Sequence, residues 1–340
     1  MITVLKKGLL TTVQDRGRYD FGKFGISPAG AMDPFAYRLG NVLVGNQADE
    51  ASLECTLIGP SLRFEDDHVF AVTGAEFSPT LNGVPVEANR ALRAKAGDIL
   101  ELQSARSGVR GYLSFSGGVE VPLVMGSRST DIKGKFGGHF GRSLKDGDRL
   151  LIGEHDEIPN LPFRFVSRSF GVDYESGAPL RVLPGPQADY FTESGLRAFF
   201  TGQYTVLAEN DRMGYRLSGE LPQFRDGKTS NIISDGVAMG AIQVSEKLLV
   251  LTADRQTTGG YAKIGCVISV DLPRLAQKKA GDILRFERVG IEQAEAAYLD
   301  QANILRRLEE HLNHDDILFR SVVSVGFEGR TFRAEVSRIG

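Results

Sequence analysis

The sequence contains no tryptophan, only two cysteines and only five histidines in 340 residues. Cys55 and Cys266 are too few for a disulfide framework or a zinc cluster and read as reduced thiols. Neither sign of charge dominates: 40 Lys+Arg stand against 43 Asp+Glu, giving a net charge of −3 and a pI near 6.0. A dedicated nucleic-acid binder would show a basic patch and a pI above about 9, so that class is set aside. No apolar run approaches the roughly 18 residues of a membrane span. The stretch Lys247-Leu248-Leu249-Val250-Leu251-Thr252-Ala253 is of strand length. The segment from Met1 to Lys7 lacks the apolar core of about 7–15 residues that a secretion signal needs. These absences together give the expectation of a cytoplasmic protein that binds neither nucleic acid nor membrane.

Several catalytic patterns are missing as well. There is no G-x-S-x-G elbow and no G-x-G-x-x-G between a strand and a helix. Gly227-Lys228-Thr229 resembles the end of a phosphate-binding loop, but Pro222 stands where that loop needs its first glycine. Of the histidines, His311 and His314 share a polar helix with no third ligand in view, so no metal is expected.

Glycine is abundant. Its 40 residues make about 12% of the chain, against a usual ~7%. With 41% hydrophobic residues, this describes a well-filled core built from many short strands and tight turns. Val69–Thr73 reads as a buried strand that Gly74 ends. Leu81-Asn82-Gly83-Val84 carries the strongest short hairpin signal. Gly97-Asp98 and Gly147-Asp148 each precede an apolar run, as turns feeding strands. Asp33 and Pro34 read as the N-cap and first position of an early helix. Ile291 to Leu312, with Leu299, Ile304, Leu305, Leu308 and Leu312 at helical spacing, reads as an amphipathic helix, and a closing hairpin follows it.

The chain partly repeats itself. Lys95-Ala96-Gly97-Asp98-Ile99-Leu100 recurs as Lys279-Ala280-Gly281-Asp282-Ile283-Leu284, and two weaker matches keep the same order. A period this long indicates duplicated all-β halves rather than a solenoid. Glu154–Asn160 and Tyr174–Pro179 are the linker candidates between them.

Five clusters set polar residues among glycines: Thr12–Arg18 with Gly25–Asp33, Gly126–Asp131, Asn210–Arg216, Ser234–Gln243, and Thr252–Lys263. In the last, a buried strand delivers Asp254, Arg255, Gln256, Thr257 and Thr258, and Gly259-Gly260 lets backbone approach a ligand. Such a set suits a small anion or amide. It equally suits a structural ion pair between Asp254 and Arg255 at a strand end, and residue chemistry alone leaves both readings open.

Taken in order, these clusters resemble one family. The motifs T-V-Q-D-x-G-R, G-[IV]-S-P-x-G-A-M-D, G-S-R-S-T-D, N-D-R-M-G-Y-R-L and T-A-D-R-Q-T-T-G-G-Y lie at residues 12–18, 25–33, 126–131, 210–217 and 252–261. They are similar to those of the allophanate-hydrolase-subunit-2-like group. That group includes the C subunits of 5-oxoprolinases, an antagonist of a histidine-kinase inhibitor, and part of the carboxyltransferase region of urea carboxylase. One departure is Ala262, where the pattern expects proline.

The resemblance implies a mainly β chain of two cyclophilin-like β-barrels, at 1–160 and 178–290, with a helix-and-hairpin tail at 291–340. It implies the C subunit of an ATP-dependent 5-oxoprolinase, opening 5-oxo-L-proline to L-glutamate. Its partners would be the enzyme's A and B subunits, of which the second is kinase-inhibitor-like. ATP would be held by one of these partners. The alternatives are biotin-dependent carboxyl transfer, with biotin on a separate carrier since no Met-Lys-Met site is present, and non-catalytic regulation of a kinase inhibitor. On this reading Asp254, Gln256 and Lys263 are the catalytic candidates. Asp254 would accept a proton, Arg212 and Lys263 would hold an anion, and Gln243, Gln256 and Thr257 would orient the amide, with Tyr261 beside them.

Overall fold

The computed structural model describes residues 1–46, 50–154, 157–158 and 160–313, together with the backbone of 317–327 and 330–339. His155, His314 and part of the Glu154–Asn160 linker candidate lie outside the described residues.

The chain is mainly β, as expected, and its described residues form three larger sheets and a separate two-stranded one. Two sheets come from the first half. One has seven strands in the order Val119–Glu120, Arg149–Ile152, Ile2–Lys6, Ser61–Phe64, Ile99–Glu101, Thr80–Leu81, Val84–Pro85. The other has five, in the order Leu10–Gln14, Ser52–Thr56, Ser107–Phe115, His68–Glu76, Ala91–Ala94. Val4, Val13, Leu53, Phe64, Phe70, Leu113 and Phe115 form the core between them.

The local signals operate as chemistry dictates. Asn82 and Gly83 both take positive φ, at 53° and 77°, in the two-residue turn of the Thr80–Leu81/Val84–Pro85 hairpin. Asp33, in extended conformation, accepts a hydrogen bond from the Ala36 N–H at 2.9 Å and caps the helix Pro34–Leu43. Gly74 differs from expectation. It does not end its strand, which runs on from His68 to Glu76. Instead it takes φ +86°, and a Cβ there would lie 2.5 Å from the Arg110 carbonyl oxygen of the neighbouring strand. The glycine marks a close backbone approach inside the sheet.

The second half forms one sheet. Its main path runs Ile283–Leu284, Tyr204–Val206, Gly214–Ser218, Leu248–Leu251, Ala241–Val244, Thr258–Val267, Leu180–Pro184, Phe286–Arg288. The first and last members are consecutive in sequence, separated by Arg285 alone, so the sheet nearly closes into a barrel. A further strand, Asn231–Gly236, hereafter the flap, stands off this main path and among the described residues pairs only with Thr258–Val267. Val182, Phe199, Tyr204, Tyr215, Leu217, Val250, Ile264 and Phe286 fill the interior.

The helix Ile291–Asn313 matches the expected amphipathic segment, and its Leu305 and Leu312 pack beside Leu39 and Leu43 of the early helix. The strands Ile317–Phe327 and Arg330–Ile339 form the expected hairpin, paired with each other alone. Among the described residues no helix is long and apolar enough to cross a membrane.

Candidate functional site

The strand Leu248–Leu251 leads into the turn Thr252–Thr257, which returns as Thr258–Val267. Asp254 leaves this turn toward the first half of the chain, not toward Arg255. Both Asp254 oxygens accept from Arg212, at 2.9 Å from Nε and 2.8 Å from Nη2. Arg212 also pairs with Glu54 of the first half and donates to the Gly30 carbonyl at 2.6 Å. Arg212, Glu54 and Asp254 are all buried. Burial pulls the Arg212 guanidinium down, but Asp254 and Glu54 outweigh it and hold the cation well above its ordinary value. Burial pushes Asp254 up, and Arg212 only partly offsets that. Glu54 ends below the usual carboxylate range because Arg212 and Arg110 outweigh its own burial. Arg255 meanwhile donates to the carbonyls of Val237 and Thr252, at 3.2 and 3.4 Å.

A second, buried network joins the barrel strands to the flap. Gln243 and Lys263 sit opposite each other in register, just past a bulge. Lys263 is buried and its ammonium pairs with Asp235 of the flap. The Lys263 N–H donates to Gln187 Oε1 at 3.1 Å, and Gln187 Nε2 donates to Asp235 at 3.4 Å. Gln243 is 1% exposed, yet among the described residues neither end of its amide has a hydrogen-bond partner. Gly259 lies against it: a Cβ there would be 2.2 Å from Gln243 Nε2 and 3.2 Å from Gln256 Nε2. Two amides therefore converge where only glycine fits. Thr257 is half-buried, its carbonyl accepting from Val237 at 3.1 Å, while Tyr261 is exposed and pairs in register with Asn231 of the flap. At the departure from the family pattern, the Ala262 N–H donates to the Ser230 carbonyl at 2.8 Å, a bond proline cannot make.

The fold thus brings Gln243, Gln256 and Lys263 together with Asp235 and Gln187. It holds Arg212 and Asp254 in a separate network with Glu54, and no hydrogen bond joins the two among the described residues. Sequence reasoning placed Asp235 in a cluster without choosing it. It gave no sign of Gln187 or Glu54, which stand outside the glycine-rich segments.

The first-half motifs lock into one another. Asp15 accepts from the Gly17 N–H at 2.8 Å, from the Arg128 N–H, and from the hydroxyls of Ser127 and Ser129. Gln14 bridges Thr12 and the Thr130 carbonyl, at 3.0 and 3.2 Å. Lys228, in the segment that resembles a phosphate-binding loop, instead lies 4.2 Å from the Tyr190 ring centre, and a strand follows it where such a loop needs a helix. That segment does not fit ATP phosphates.

Residues 24–288 match the model of the carboxyltransferase domain, subdomain A and B, and the chain belongs to that family. It is 38% identical to the 5-oxoprolinase C subunit of Escherichia coli, over 93% of this chain and 100% of that protein. It is 35% identical to the 5-oxoprolinase C subunit of Haemophilus influenzae, over 92% and 100% respectively. The crystal structure of K. lactis urea amidolyase is similar with a TM-score of 0.83 and 32% identity, over 90% of this chain and 20% of that one.

Proposed function

We propose that the chain is the C subunit of an ATP-dependent 5-oxoprolinase, opening 5-oxo-L-proline to L-glutamate together with the A and B subunits. End-to-end similarity to two proteins of that name supports the assignment. The observation that carries the chemistry is the buried, unpaired amide of Gln243. A lactam amide is fixed cis, so its N–H and C=O lie on one edge. A glutamine side chain offers the complementary edge: Nε2–H donates to the lactam oxygen, and Oε1 accepts from the lactam N–H. Leaving that amide unpaired costs about 1–3 kcal/mol, which a substrate amide would recover.

Gln256 lies beside the same glycine and would hold the opening carbonyl. Lys263, released from Asp235, would neutralise the substrate carboxylate. The flap Asn231–Gly236 borders this site through the Lys263–Asp235 pair and would have to move for Lys263 to be released to substrate. It is mostly exposed, its register is broken between Asn231 and Asp235, and Ile233 is 95% exposed. An apolar side chain so displayed suits contact with a partner protein, which would complete the site. Asp254 and Arg212 act in this scheme as positioning residues for the turn that carries Gln256. We place ATP on one of the partners, and in this chain's part of the reaction water supplies the hydroxyl that completes glutamate.

Urea presents the same amide edge. The family's carboxyltransferase description and the urea amidolyase likeness therefore favour carboxyl transfer as the second reading, with biotin brought on a separate carrier. The test reconstitutes the chain with the A and B subunits and measures ATP-dependent glutamate release. Gln243→Leu and Gln256→Ala should each lower turnover by roughly 5- to 150-fold with melting and assembly intact, the ~1–3 kcal/mol of a buried polar group left unpaired. Turnover near wild type in both would remove the flap-bordered site from the reaction. Carboxylation of urea without lactam opening would establish the second reading.

A further inference from the structure

A cavity of about 1000 Å³ opens where both halves of the chain meet the helix Ile291–Asn313. It is apart from the flap-bordered amides and shares no lining residue with them. Phe35 and Leu272 line its floor and Tyr298 and Leu299 its roof. The helix buries only Leu305 and Leu312 of its 23 residues. Its first half stands over the opening, with Ile291, Tyr298 and Leu299 64%, 55% and 59% exposed. Apolar surface held open in this way marks a binding site. The size lies at the upper end of small-molecule pockets, about 300–1,000 Å³, and a five-membered lactam would fill little of it.

Charge fixes the kind of occupant. Arg38 lines the wall, half-buried, and makes no hydrogen bond or ion pair among the described residues. Arg16 stands at the rim, and Glu295 is the one carboxylate among the described lining residues. A partly desolvated guanidinium without a counter-ion is completed by an anion. The apolar walls reject a small, strongly hydrated anion. The place a partner helix would take above the floor is already held by the chain's own helix.

We propose that this cavity binds an amphipathic monoanion, with an apolar body between the helix Ile291–Asn313 and Leu272 and a single carboxylate on Arg38. Binding joins the free half of the helix to the body of the protein, and it does not depend on which reaction the complex performs.

The test uses the full chain and 8-anilinonaphthalene-1-sulfonate, an aromatic body with one anionic group. Saturable one-to-one binding with enhanced fluorescence is expected. Cys266 lines the cavity while Cys55 is fully buried, so thiol alkylation reports on this site and should slow in saturating dye. Decanoate should displace the dye, and decyltrimethylammonium at equal concentration should not. Arg38→Met should weaken binding tenfold or more, and Ala302→Phe, which fills the cavity from the helix, should abolish it with unchanged melting. Equal displacement by the cation, or alkylation indifferent to dye, overturns the proposal on the unaltered chain, whatever the variants do. So does displacement of the dye by the kinase-inhibitor-like partner with no competition from decanoate, which would make the cavity a protein interface.

Discussion

Gln277 and Gln243 carry the same amide into the interior and meet opposite fates there. Gln277, from the second half, reaches into the first. Its Oε1 accepts from the Val109 and Arg110 N–H groups at 2.8 and 2.9 Å, and its Nε2 donates to Asp33 and to the Arg110 carbonyl, both at 2.9 Å. Every bond an amide can make is made. Gln243 makes none. The two should therefore answer opposite tests. Gln277→Ala strands several buried groups and should cost roughly 2–4 kcal/mol in urea unfolding. Gln243→Leu removes an unpaired amide for an apolar group of similar size and should leave stability unchanged or slightly raised while turnover falls. Strong destabilisation by Gln243→Leu would show a structural amide and withdraw it from the site. Of these residues Gln243 was legible in the sequence because it ends a glycine-rich cluster. Gln277 was not, since its partners lie more than 160 residues away in the chain and no local pattern encodes them.

Arg164 does at the level of elements what Gln277 does between halves. It is fully buried in the segment between the two halves, and burial pulls its guanidinium down to about 10. It donates to the carbonyls of Val42 and Leu43, both at 2.7 Å, and to that of Leu312 at 2.9 Å. One cation thus serves the C-terminal ends of two helices, where unsatisfied carbonyls and the helix dipoles both favour positive charge. Arg164→Met should cost about 2–4 kcal/mol. Hydrogen exchange should then quicken across 291–313 before it does so in the barrel; unchanged exchange there would show that Leu305 and Leu312 suffice to dock the helix. The elements were largely readable in advance. The Asp33-Pro34 start, the Asn-Gly turn and the apolar spacing of 291–312 each rest on short-range chemistry. Gly74 reads as a strand end because a glycine at a close backbone approach and one at a turn look alike in sequence. The repeat of Lys95–Leu100 at Lys279–Leu284 reads as a mark of duplication, yet the Lys-x-Gly-Asp turn within it occurs three times. At Lys95, Lys145 and Lys279 the N–H donates to the aspartate three residues on, at 2.7, 2.7 and 2.9 Å, and the glycine takes φ near +90° each time. Its recurrence within the first half shows a reusable turn, so shared ancestry of the halves needs more than this motif.

At the scale of the whole molecule we propose three units, at 1–160, 178–290 and 291–340, that do not act independently. Arg212 with Glu54, and Gln277 with Asp33, bury charge and amide across the boundary between the halves. Loss of either half would leave the other half's member of each pair without its partner, and an uncompensated group that stays buried typically costs about 3–5 kcal/mol when charged. The full chain should therefore unfold in one calorimetric transition, and either half expressed alone should be poorly folded. Two resolved transitions would mean that these links contribute little. The sequence could suggest two halves but not this bond between them, because Glu54 lies in an ordinary strand. The closure of the second sheet has a consequence of a different kind. Its end strands, Ile283–Leu284 and Phe286–Arg288, are tethered through Arg285. In an open sheet an outer strand can shift its pairing by two residues and disturb a single neighbour. In a closed ring such a shift must be matched by every strand around the circumference. The strands of the main path are therefore held to one register, and the free edge left in this half belongs to Asn231–Gly236, which pairs on one side alone among the described residues.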